Sequence, residues 1–102
     1  MTAPLSFYET FLHLSYQQRV YLLQTLTSLQ FKWIKEAFVN LVNNKDIVCP
    51  LSEKNFFEKQ SALIKKIMGK SCTSKKLVRE NQKLVFKVIE CIVNHFNTES
   101  NL

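Results

Sequence analysis

Cys91 and His95 stand four residues apart, a spacing that on a helix places both side chains on one face where they can reach a single ion. A structural zinc site needs four ligands, commonly in close pairs, and the other candidates (Cys49, Cys72 and His13) are scattered along the chain. The pair therefore reads as a thiol in the core and a polar residue near a helix end, and no metal is expected. Nucleophilic catalysis by a cysteine with a distant histidine needs a thiol of depressed pKa. Gly69 is the single glycine, which excludes the phosphate-cradling loop and the dinucleotide fingerprint and leaves nothing to build a nucleophile elbow. Asp46 is the only aspartate, so paired-carboxylate and two-metal chemistry have little to draw on. The expectation is a protein that is not an enzyme, without cofactor or small-molecule substrate.

The charge pattern carries more content. The net charge is +6, of which residues 1–50 supply +1 and residues 51–102 supply +5. Within 65–87, Lys65, Lys66, Lys70, Lys75, Lys76, Arg79, Lys83 and Lys87 face Glu80 alone. Lys76, Arg79, Lys83 and Lys87 follow helical steps of three, four and four, and so line one face of a helix. A cationic face of this kind suits the phosphate backbone of a nucleic acid, because each neutralised phosphate releases counterions. Lysine far outnumbers arginine, and bidentate reading of bases favours arginine, so the contact should be independent of base sequence. A solvated lysine face is the ordinary alternative.

Aromatic residues are the second signal. Phe7, Tyr8, Phe11, Tyr16 and Tyr21 crowd the N-terminal segment, and Phe86 lies off the main apolar stripe of its helix. Most should be core. Those left outside form a candidate interface for a protein partner or a second copy of the chain.

The elements that must position these residues are helical. With one glycine and two prolines among 102 residues, the chain lacks the turn residues of an all-β fold. Ser6–Glu9, Ser15–Gln18 and Thr27–Gln30 fit the capping box, in which a hydroxyl and a Glu or Gln satisfy each other's backbone N–H groups. They predict helices near 6–13, 16–25 and 28–43, the last bearing Phe31, Ile34, Phe38, Leu41 and Val42 on one face and ending at Asn43-Asn44. Residues 47–51 read as an extended connector before a fourth helix capped by Ser52, and Gly69 stands where a left-handed helix terminus belongs. Thr73 or Ser74 then caps a long C-terminal helix whose Leu77, Leu84, Val85, Val88, Ile89, Ile92, Val93 and Phe96 recur at steps of three and four. The expected fold is all-α, a bundle of four to five helices in one domain over 1–97 with a frayed tail over 98–102.

Hydrophobic residues make up 46% of the chain, enough for a core, and no apolar run is long enough to span a membrane. Three cysteines without paired spacing, and no secretory leader pattern, point to an intracellular, reducing compartment.

The order of segments resembles a known group. A helix ending in Asn43-Asn44 is followed by Ile47-Val48-Cys49-Pro50-Leu51-Ser52 and a helix through Leu63-Ile64-Lys65-Lys66-Ile67. Thr73-Ser74-Lys75-Lys76 and a basic-apolar helix come next. Over roughly residues 22–85 this is similar to small uncharacterised proteins of Maverick/Polinton-type virus-like elements, adintoviruses and adomaviruses. Members of that group continue into a Gly-Gly and apolar tail, where this chain carries the helix over 85–96 instead. The resemblance implies a viral or virus-derived protein without enzymatic activity, associated with DNA, the nucleus or the virus particle. The alternative is a helical adaptor, viral or host, that works through an apolar groove or an oligomer interface.

Overall fold

The computed structural model describes residues 4–44, 46–69 and 75–100, with side chains described as far as Asn97. All regular structure among them is helical: α1 (Leu5–His13), α2 (Tyr16–Gln24), α3 (Ser28–Asn43), α4 (Leu51–Lys59), α5 (Ser61–Met68), α6 (Lys75–Glu80) and α7 (Gln82–Ser100). The fold is all-α with a long C-terminal helix, as the periodicity indicates. Thr73, Ser74, Lys70 and Cys72 lie outside the described residues.

Two of the three capping boxes form. Ser15 Oγ accepts the Gln18 N–H and Gln18 Oε1 accepts the Ser15 N–H, at 3.2 and 2.9 Å. Thr27 and Gln30 repeat the exchange, both at 3.1 Å. The box at Ser6 does not form, because α1 starts one residue earlier with Pro4 as its cap and the Phe7 N–H donating to the Pro4 carbonyl at 3.1 Å. Ser52 likewise is not a cap: Pro50 is, and its carbonyl accepts the N–H groups of both Glu53 and Lys54 at 3.0 Å. Proline fixes its own φ and has no N–H to satisfy, so it opens a helix without a hydroxyl's help.

Among the described residues the helices number seven because the two long helices expected toward the C-terminus are each broken once. At Gln60 the backbone turns to φ −101°, ψ 13°, and its N–H is shared between the carbonyls of Phe56 and Phe57. At Asn81 the side-chain Nδ2 donates to the Leu77 carbonyl at 2.7 Å, the acceptor that the helical ladder assigns to the Asn81 backbone. The Asn81 N–H turns instead to Val78, three residues back, at 3.2 Å. This is the competition by which asparagine interrupts helices. Gly69 also departs from expectation. Its φ of −57° is not left-handed, and an added Cβ would sit 3.4 Å from the nearest carbonyl oxygen, so nothing there requires glycine. The tail expected to fray from 98 is helical to Ser100.

α7 packs on α1 and α3 and touches α2 and α6; α5 lies on α3, α6 on α2, and α4 on α5. The shared core joins Phe11, Leu23, Ile34, Phe38, Ile64, Ile67 and Val78 to the α7 ridge of Val85, Val88, Ile89 and Ile92. Among the described residues no polar or charged side chain is fully buried. The radius of gyration is 12.9 Å, close to the value of about 13 Å for one domain of this length. Two partly buried carbonyl anchors tie the layers: Lys35 Nζ donates to the Gly69 carbonyl at 3.0 Å, and Lys75 Nζ to that of Leu26 at 2.8 Å.

Removing core volume should cost far more than removing a cap. Ile92→Ala is expected to lower stability by about 2–5 kcal/mol and Thr27→Ala by about 1 kcal/mol, read from urea unfolding midpoints.

Candidate nucleic-acid interface

The eight cations singled out from the sequence do not form one face. Lys65 and Lys66 are exposed on the last turn of α5, and Lys76 and Arg79 are exposed on α6. Lys65, Lys66 and Arg79 have no ion-pair partner among the described residues. Lys76 reaches Glu80 at 3.7 Å, but both side chains are mostly in water, where such a pair contributes little. Lys75 is occupied by the Leu26 carbonyl. Lys70 falls between α5 and α6, outside the described residues.

The remaining two turn elsewhere. Lys83 and Lys87 place their ammonium groups 5.8 and 5.5 Å from the ring centre of Phe56 on α4. Lys87 also lies 3.9 Å from Glu53. The steps of three and four from Lys76 to Lys87 assume an unbroken helix. The Asn81 break places Lys76 and Arg79 on α6 and Lys83 and Lys87 on α7, the latter pair over Phe56 of α4, so the expected single stripe on one continuous helix is divided.

The aromatic set divides as well. Tyr8 and Phe11 are core, not interface, since helix α1 turns them toward α7 and α3; the Tyr8 hydroxyl donates to the Trp33 carbonyl at 2.6 Å. Burial, and then the nearby Glu36, raise the pKa of that hydroxyl above the usual tyrosine value. Phe7 is half-buried against Trp33, ring centres 5.1 Å apart, and Phe86 lies under the Arg19 guanidinium at 4.3 Å. Only Tyr16 and Tyr21 stand open, at 64% and 67% exposure. Tyr21 borders a shallow apolar hollow of about 420 Å³ along α2, lined also by Leu14, Gln17, Gln18, Leu22 and Thr25.

A cluster between α4 and α7 did not emerge from sequence spacing. Glu53 Oε2 accepts the Cys91 thiol proton at 3.0 Å. Cys49, from the connector, is buried in the same core as Cys91. Glu53 is free for this because of Pro50. A Glu at the third helical position ordinarily reaches back to the cap's N–H, and proline has none. The Pro50–Glu53 spacing was the available signal. Burial, then the Cys49 thiol and the Glu53 carboxylate, push the Cys91 thiol well above the usual range, the opposite of an activated nucleophile. Among the described residues no three His, Cys, Asp or Glu side chains are grouped to hold a metal. No described helix is long and apolar enough to cross a membrane.

Compared with protein-family models, curated proteins and solved structures, the chain finds no match.

The carboxyl of Glu90 is shifted upward by desolvation first and by Glu53 next, against the opposing pull of Lys87. A raised folded-state pKa means that the native state holds the proton more tightly, so this contribution is present below the ordinary carboxylate range and lost as pH rises through it. Glu90→Gln should therefore raise the melting temperature at neutral pH and shrink the gain on acidification. Parallel melting curves of variant and parent at pH 4–7 check this.

Proposed function

We propose that the protein is a non-enzymatic nucleic-acid-associated protein that holds phosphates at its α5–α6 end. The observation that carries this reading is the exposure there of Lys65, Lys66 and Arg79 without internal partners among the described residues, with exposed Lys76 beside them. A +6 chain with exposed cations of this kind steers toward a polyanion regardless of base sequence. The resemblance to proteins of virus-like elements supports a viral or virus-derived origin and a role with the genome or virus particle.

A second reading rests on the α2 hollow: a protein interface, with a second copy of the chain as occupant. The α2 surface of Tyr16, Gln17, Gln18, Tyr21, Gln24 and Thr25 carries no charge, and Arg19 is held against Phe86. In a molecule of net charge +6, a neutral face is the one that can meet its own copy without repulsion.

Fluorescence anisotropy with a labelled random duplex at about 50 and about 200 mM salt separates the two. Engagement of about four phosphates predicts a loss of affinity on the order of a hundredfold between those conditions. Lys65/Lys66/Lys76/Arg79→Glu should abolish binding, while Lys75→Met and Lys87→Met should leave it nearly unchanged in any variant that stays folded. No binding at the lower salt, or equal binding by the quadruple variant, would overturn the phosphate reading and leave the α2 face as the working surface.

A further inference from the structure

We propose that Lys83 and Lys87 form a second phosphate-contact site that α4 holds closed, so that this helix acts as an autoinhibitory strap on α7. The site adds to the α5–α6 end and rests on the same reading of the protein as nucleic-acid-associated. Both ammonium groups are engaged by α4. They stand 5.8 and 5.5 Å from the centre of the Phe56 ring, and Lys87 also lies 3.9 Å from Glu53 Oε1. Phosphate competes for the same two groups, because a ring face, a carboxylate and a phosphate all attract an ammonium electrostatically. Lys83 is exposed and follows Arg79 by four residues, whereas the Lys87 side chain is 27% exposed.

The placement is specific. Glu53 and Phe56 are three residues apart and share one face of α4, and Lys83 and Lys87, four apart, share one face of α7. Glu53 is the centre of the contact: one carboxylate oxygen faces Lys87 and the other accepts the Cys91 thiol at 3.0 Å. The rest of the hold is light. A charge pair at 3.9 Å and two cations near the outer limit of about 6 Å from a ring are each weak contacts. None of the nine residues of α4 is buried, and its close backbone packing is on α5. The connector over 47–50 is neither helix nor strand, and the Gln60 break separates α4 from α5 at the other end. An element bounded in this way opens locally while the α7 ridge stays intact.

The experiment uses the full chain, a labelled random duplex as probe, and Glu53→Gln/Phe56→Leu as the opened variant. At about 50 mM salt this variant should bind about tenfold more tightly than the parent, and two added phosphate contacts should deepen its loss of affinity by about 200 mM by a further factor of about ten. Glu53→Gln alone, which keeps the Phe56 packing, should give part of the gain. Glu58→Gln makes the same change in net charge from an exposed position on α4 and should bind as the parent does. Adding Lys83→Met/Lys87→Met to the opened variant should remove the gain, while in the parent the same pair changes affinity by less than about twofold. Hydrogen–deuterium exchange of the free chains reads the strap without nucleic acid: α4 amides should exchange faster in the opened variant, with Val85 to Ile92 protected as in the parent. If the parent binds and the opened variants bind no more tightly, or the gain survives loss of both lysines, the masked site is overturned and the α5–α6 reading stands. Binding by the opened variants alone would support the masked site and overturn that reading, and binding by neither overturns both. Unchanged α4 exchange would overturn the strap.

Discussion

Val85, Val88, Ile89 and Ile92 occupy successive turns of α7 and are wholly withdrawn from water. At about 1.5–3 kcal/mol for each buried aliphatic side chain, this ridge is the largest continuous source of stability that any one helix provides. Its burial dictates the layout. A helix apolar over so much of its circumference must be covered from several sides, and α1, α2, α3 and α6 supply that cover. The short helices have little independent stability at their lengths of six to nine residues, and they persist because they close this core.

The same constraint distributes the charges. A core without buried polar side chains among the described residues leaves every cation at its margin, where it is either recruited by a nearby acceptor or left in water. Lys35 and Lys75 are recruited by carbonyls at helix ends, and Lys87 by Glu53 and the Phe56 ring. Left in water are Lys65, Lys66 and Arg79, with Lys76 only loosely engaged, and also Lys32 on α3 and Lys54 and Lys59 on α4. The division follows which residues happen to present carbonyls, carboxylates and rings nearby, information that resides in tertiary packing.

Much of the fold was legible in the sequence because its signals are local. Helical periodicity, the Ser15 and Thr27 boxes and the Asn43-Asn44 terminus all act within a few residues of chain. The misreadings were also local, and each has a competing group. Proline displaced the neighbouring serine as cap at Pro4 and Pro50, and the Asn81 amide took a carbonyl from its own backbone. The site was less legible. Counting lysines by helical steps found the basic region, but the stripe depended on α6 and α7 being one helix. The Cys91–Glu53 contact joins residues 38 positions apart, a separation at which spacing carries no information about contact.

The central claim, that the α5–α6 end is the surface that meets nucleic acid, is tested most directly by mapping. A ¹⁵N-labelled chain titrated with a short random duplex at low salt should show amide shifts concentrated at Lys65, Lys66, Lys76 and Arg79, with α2 from Tyr16 to Gln24 undisturbed. Shifts confined to α2, or none at all at millimolar duplex, would contradict the account.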